Sequence, residues 1–498
     1  MVAGACLIWA SAIQSDAQES RAVDAGKGGV KIIPAPRLVL LSSSQMALGD
    51  RIVPDSPALR PLADIVQEEI QMLTGKRLSV AAGTPRAGDI VLKLDPALEG
   101  EVYRLEVQDT ATLRGGNYAA IAFGTVSLLQ SIVMEQGKPA LPGLIIRDEP
   151  SAGYRGLMVD AARQWHSVGT LKQIIELCRW YKIRQLQLHF TDDQSFTFPS
   201  TAFPSLATPE RHYTVEQLRD LEAYARDRGV EILPELETPG HASAMVKQMP
   251  AIFANNPPSG NVICPGREET YRALDTLVGE MADIFRTTPY IHIGADEVGM
   301  DPWKTCKDCQ ACMAAQKLDD VKELYRYFIV RMNEIVKKHG KKTIVWEGFH
   351  KDGKTDIPRD VTVMVFESLY NIAPDLIAQG YSVINTSWQP LYVVNQRNWS
   401  PEYIYGWNMY RWENWWDQSK AFKNPITVTP TKMVLGAEVC AWEQPEQAEI
   451  PSLRQRLPAM SERLWNPDAG RDYKDFADRL STRLDPMLSK VLPALPEK

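Results

Sequence analysis

The chain lacks several features that would each place it in a class. Across 498 residues no run of lysine and arginine stands out, and the formal net charge is −7. A nucleic-acid footprint needs the opposite balance, so no nucleic-acid partner is expected. No stretch approaches the roughly 20 consecutive apolar residues of a membrane span. The first residues are apolar and small over 2–13, and Ser15-Asp16-Ala17 resembles a cleavage site. The lysines or arginines that open a complete signal peptide are missing. We read 1–25 as a leader or disordered segment and expect a secreted or periplasmic protein.

Cysteine is sparse: seven in all, six if Cys6 leaves with a leader. Cys306, Cys309 and Cys312 form a C-x2-C-x2-C cluster with no fourth cysteine following, which excludes an iron–sulfur set. The three could hold a structural zinc with a fourth ligand such as Cys264 or a histidine. They could equally close one disulfide in an oxidising compartment and leave a spare thiol. No metal is expected in the chemistry.

What is present is regular. A small α/β domain is expected over 30–148, after a flexible Gly-rich joint at 26–29. It has strands at 31–41, 89–94 and 101–108 and helices at 57–73 and 118–134, and no motif in it carries chemistry. From 150 to 485 strands alternate with helices. Strands are expected at 156–160, 185–190, 230–235, 290–294, 343–346, 361–366, 382–385 and 433–439. Helices at 170–181, 215–228, 268–285, 321–339 and 374–379 separate most of them, and 454–465 closes the series. Eight βα units in succession imply a closed (β/α)8 barrel, whose site lies at the C-terminal strand ends.

Those ends are loaded with polar and aromatic residues. Strand two leads to Asp192-Asp193, strand three to Glu237 and His241, and strand four to Asp296-Glu297. Strand five leads to Trp346-Glu347, strand seven to Trp388 and Tyr392, and strand eight to Trp442-Glu443-Gln444. Adjacent side chains on a regular strand point to opposite faces. Asp296 and Glu297 can therefore serve one ligand only if the strand ends there and its alternation breaks. A long segment, 397–416, carries Trp399, Trp407, Trp412, Trp415 and Trp416; it could stack on sugar rings or pack on itself as a lid.

With these residues laid out, the chain resembles glycoside hydrolase family 20, the exo-acting β-N-acetylhexosaminidases. His292-Ile-Gly-Ala-Asp-Glu297 is similar to the family's His-x-Gly-(Gly/Ala)-Asp-Glu. The stretches 154–160, His189-x-x-Asp192-Asp193, Pro234-Glu235-x-x-x-Pro239-Gly240-His241 and Gly436-Ala437-Glu438 match in the right order. The resemblance implies retaining hydrolysis of terminal β-linked GlcNAc or GalNAc, on a glycan or chitin-type oligosaccharide. The substrate's own acetamido oxygen attacks the anomeric carbon, the substrate-assisted exception among glycosidases. No cofactor is implied.

By the same resemblance Glu297 is the acid and then the base, with its pKa raised by enclosure and a neighbouring carboxylate. Asp296 stays ionised and orients the acetamido N–H; Tyr392 binds the acetamido oxygen; Trp346 and Trp442 box in the methyl group. Arg155 binds sugar hydroxyls, Trp388, Asn395 and Gln444 lie on the substrate side, and Asp192 and His241 stand behind Glu297. His292 supports the site or the core.

Four positions depart from the family pattern. Phe366 replaces a third box tryptophan, Glu237 an aspartate, and Val394-Asn395 and Gln444 stand where relatives place carboxylates. Loss of those carboxylates would remove repulsion of an anion, so a form specialised for 6-sulfated GlcNAc, aided by Arg397, is one alternative. An inactive carbohydrate-binding barrel is another. A third is a conventional glycosidase whose second carboxylate is Glu235 or Glu347.

Overall fold

The structure, a computed structural model, describes residues 21–22, 30–394, 397–470 and 472–492. The leader expected over 1–25 (apart from 21 and 22), the joint at 26–29 and Asn395 lie outside the described residues. The chain divides into two compact units, 1–149 and 150–498.

The first unit is a nine-stranded mixed sheet with two helices. Arg60–Thr74 ends at Gly75, whose φ of 78° supplies the left-handed cap. Tyr118–Ser131 is capped by Asn117, whose side chain accepts from the Ala120 N–H. The strand expected at 31–41 instead occupies Leu38–Ala47, and it pairs with a long strand, Lys138–Asp148, absent from the sequence reading. Pro139 and Pro142 hide that strand, since proline breaks a ladder except at edges and irregularities. Pro142 lies opposite Gln45, where the register shifts.

The second unit is a closed barrel of eight parallel strands. They are β1 (Tyr154–Asp160), β2 (Gln185–His189), β3 (Glu231–Thr238), β4 (Tyr290–Gly294), β5 (Lys342–Trp346), β6 (Thr362–Val365), β7 (Ser382–Asn385) and β8 (Val434–Ala441). Each pairs with the next, and β8 returns to β1 with Gly156 opposite Glu438. Helices follow β1 to β4 at Val168–Trp180, Val215–Arg226, Glu268–Ile284 and Val321–Lys338. Ser167, Thr214 and Asp320 cap three of them; Thr214 forms a reciprocal box with Gln217. Among the described residues no helix lies between β5 and β6. No described helix is long and apolar enough to cross a membrane.

Candidate active site

β4 ends where its alternation fails. Gly294, Ala295 and Glu297 have φ of 73°, 75° and 46°, left-handed values that side chains other than glycine adopt only under constraint. A Cβ at Gly294 would stand 2.0 Å from Glu237 Oε1, so glycine is required. The turn is held by the Ala295 N–H donating to Glu237 Oε1 at 3.3 Å and by Tyr325 OH donating to the Ala295 carbonyl. As a result an oxygen of Asp296 and one of Glu297 both come within 4.8 Å of His241.

From Glu297 a chain of hydrogen-bonding groups runs into the barrel. His241 Nε2 lies 3.2 Å from Glu297 Oε2, and its Nδ1 lies 3.6 Å from Asp193 and 3.8 Å from Asp192. Asp193 is held by the Ser243 N–H and hydroxyl and by Asn261. Asp192 Oδ2 meets His189 Nε2 at 2.9 Å, and His189 Nδ1 meets Glu235 Oε2 at 2.7 Å. Burial alone would discharge His241, but hydrogen bonds to Asp193 and Glu297 and the nearby carboxylates lift its pKa to about 11. His189, buried between Glu235 and Asp192, is likewise lifted to about 10. Both rings are therefore imidazolium at neutral pH.

This corrects the expectation for Glu297. Its pKa is held below the ordinary glutamate value, chiefly by the His241 hydrogen bond, which outweighs burial. In the unliganded site the proton sits on the histidine, and the Glu297 side chain is 49% exposed. Asp296 is shifted the other way: burial, then the charges of Glu297 and Glu235, raise it against the pull of His241. Beside it Glu237 is buried, and burial with the charge of Asp296 pushes its pKa far up. Its hydrogen bond to Asp296 acts in the same direction, favouring the protonated form of Glu237. Asp296 Oδ1 is buried and has no hydrogen-bond partner among the described residues.

Behind this corner five aromatic rings close a circle. Neighbouring centroids are 5.6 Å apart for Trp346–Phe366, 6.3 Å for Phe366–Trp388 and 6.0 Å for Trp388–Tyr392. The circle closes with Tyr392–Trp442 at 6.3 Å and Trp442–Trp346 at 6.1 Å. Trp346 is fixed because its Nε1 donates to Glu235 at 2.6 Å. Of the tryptophans in the 397–416 segment, Trp407 and Trp412 are buried, Trp416 stacks on Trp388 at 5.7 Å, and Trp415 packs at a tilt on Trp388 at 5.0 Å and on Trp399 at 5.8 Å.

Arg155 is not in this site. It opens β1, at the end opposite the mouth, fully buried, with its guanidinium on the carbonyls of Lys182 and Ala152 and over Trp465. The arginine at the mouth is Arg163, just past the end of β1. It pairs with Asp192 at 2.7 Å and lies 4.9 Å over the Trp442 ring. Gln444 is buried, its amide nitrogen bridging the Val393 and Trp442 carbonyls, so it ties Tyr392–Val394 to the end of β8. Arg397 stacks on Trp415, and Glu443 stands 4.0 Å from Arg163; nothing here favours a sulfate.

Both rival carboxylates are committed elsewhere. Glu235 is fully buried and saturated by His189, Gln187, Trp346 and His292. Glu347 accepts the backbone N–H groups of Ser368, Leu369, Tyr370 and Asn371 at 2.7 to 3.0 Å. That cradle positions a residue the sequence reading missed, Glu367. It is 3% exposed, and its carboxyl is hydrogen-bonded to Glu297. Burial and the charges of Glu297, Glu347 and Asp296 raise it to about 8.

A closed (β/α)8 barrel with a cluster of carboxylates and a circle of aromatic rings at its mouth fits a glycoside hydrolase. Profile comparison makes this specific: glycosyl hydrolase family 20, catalytic domain, matches 153–468, and domain 2 of the same family matches 29–149. The chain belongs to glycosyl hydrolase family 20. It is 28% identical to a β-hexosaminidase of Porphyromonas gingivalis, covering 97% of this chain and 67% of that protein. It is 26% identical to one of Akkermansia muciniphila, covering 78% of this chain and 83% of that protein. The fold also matches a family 20 exo-β-N-acetylglucosaminidase of Vibrio harveyi in complex with N-acetylglucosamine. There the TM-score is 0.78 at 24% identity, over 96% of this chain and 79% of that one.

Proposed function

We propose that the chain is a retaining exo-β-N-acetylhexosaminidase that uses the 2-acetamido group of its substrate as the nucleophile. The observation that carries this reading is Asp296 Oδ1, a buried acceptor without a partner, beside the Glu297–His241 pair and the aromatic circle. An unmet buried acceptor is costly, and an acetamido N–H satisfies it. The acetamido methyl then enters the circle, and Tyr392 OH, at its edge, donates to the acetamido oxygen. This preorganises the oxygen for attack on the anomeric carbon. Asp296 offsets the positive charge of the oxazolinium-type intermediate.

Glu297 protonates the leaving oxygen. When the leaving group covers it, lost hydration raises its proton affinity, and two neighbours hold a proton: His241 and Glu367. Water then attacks the anomeric carbon with Glu297 as base, restoring the starting configuration. Relatives bearing the name β-hexosaminidase support the substrate class. Arg163 replaces Arg155 as the arginine offered to sugar hydroxyls. The enzyme is proposed to act outside the cytoplasm, which cell fractionation tests.

NMR of the first product tests the mechanism. The account expects the β-anomer of the released sugar and competitive inhibition by a thiazoline analogue of the intermediate. The α-anomer first, or hydrolysis indifferent to the thiazoline, would overturn it.

A further inference from the structure

Away from the reacting groups, three sulfur atoms converge. Cys264 lies in the segment that follows β3; in the segment that follows β4, Cys306 is the N-cap of the helix Lys307–Gln316 and Cys309 lies in its first turn. All three are fully buried. Cys264 Sγ is 3.5 Å from Cys306 Sγ and 3.6 Å from Cys309 Sγ, and all three sulfurs lie within 4.8 Å of one another. Zn–S bonds of about 2.3 Å in a tetrahedron put sulfurs about 3.8 Å apart. A disulfide needs about 2.05 Å, and only two of the three sulfurs could form one.

Two of the three sulfurs receive backbone N–H groups. The Asn256 N–H donates to Cys306 Sγ at 3.3 Å. The Cys309 N–H also reaches Cys306, and the Gly266 N–H reaches Cys264. Backbone N–H groups on sulfur offset the charge that bound thiolates carry. Asn255 adds an oxygen. Its Nδ2 is spent on the Ser259 and Val262 carbonyls, which turns Oδ1 toward the cluster, 3.9 Å from Cys309 Sγ. Cys312, third in the sequence motif, is not part of the group.

We propose that Cys264, Cys306 and Cys309 form a structural zinc site, with its fourth position facing Asn255 Oδ1. Zinc displaces the three thiol protons into solvent; no electron is transferred. The site pins the loop bearing His241 to the loop bearing Glu297, and so helps hold their 3.2 Å contact.

The test uses the full chain, reduced, stripped with a chelator and titrated with Zn²⁺ against a chromophoric chelator. The site binds about one zinc per chain, and three thiols become protected from a thiol reagent. Cobalt in its place gives a sulfur-to-metal charge-transfer band in the near ultraviolet. Cys309→Ser and Cys264→Ser abolish stoichiometric binding, whereas Cys312→Ser retains it. If a variant fails to fold, the cobalt band and thiol protection of the parent chain still decide. No zinc bound by the folded, reduced chain would overturn the proposal. So would peptide mapping of protein prepared with zinc present that finds a Cys264–Cys306 or Cys264–Cys309 disulfide.

Discussion

Glu297 has two neighbours, His241 and Glu367, whose hydrogen bonds both hold its pKa down, and each can be removed separately. Glu297→Gln abolishes proton transfer, and kcat/KM on a disaccharide falls by about 10²–10⁴, the share of general acid–base catalysis. The loss is smaller on aryl glycosides with acidic leaving groups; a near-parental rate on the disaccharide would remove Glu297 from the role. Glu367 is neutral below about pH 8 and anionic above it. Raising the pH through that value strips a proton from the pair and sets a second charge beside Glu297, so kcat/KM falls on the alkaline side. In Glu367→Gln that limb moves to higher pH while the neutral-pH rate changes little. An unmoved limb would mean that Glu367 does not set it. His241, lifted to about 11, does not titrate in this range. At this scale the sequence, through the family resemblance, pointed to the carboxylates and to His241 behind Glu297, but not to Arg163 or Glu367. Arg155 illustrates why: its motif lies on β1, yet five residues of strand, about 3.3 Å each, separate it from the end where Asp160 stands and Arg163 follows. Glu367 had no signal of its own, because its place depends on Glu347 holding four amides of a loop without regular structure.

Elements were legible where one period dominated and hidden where proline interrupted it. All eight barrel strands fall within two or three residues of their expected bounds because each is a short run, buried over most of its length and rich in β-branched and aliphatic residues, between polar or helical stretches. The helix that follows β8, Glu446–Trp465, begins eight residues earlier than expected. Pro451 lies inside it, and an interior proline ordinarily stops a helix. The cradle after β6 makes a stability prediction: Glu347→Ala leaves four backbone N–H groups without their acceptor. The expected cost is about 2–4 kcal/mol, read as a lower urea midpoint with an unchanged slope. A midpoint equal to the parent's would show that the cradle contributes nothing. The aromatic circle predicts a substrate preference. Phe366 leaves more room than tryptophan, so an N-propionyl substrate is accepted within about tenfold of N-acetyl, and Phe366→Trp lowers it by a further tenfold or so through overpacking of about 1–3 kcal/mol. Equal effects on both acyl groups would place Phe366 outside the box.

For the whole molecule, alternating strands and helices identified the barrel, and the polar strand ends pointed to the end where the candidate site gathers. The chemistry depends on a long-range juxtaposition. Asp296 and Glu297 from β4, His241 beyond β3, Glu367 beyond β6 and the rings from β5 to β8 meet only when the barrel closes. In the proposed mechanism the substrate's acetamide does the work of a nucleophilic carboxylate. This role is tested most directly by the ratio of kcat/KM for an aryl N-acetyl-β-glucosaminide to that for the matching aryl β-glucoside. The expected ratio is above about 10³, because an intramolecular nucleophile in place is worth several powers of ten. A ratio near one would contradict it.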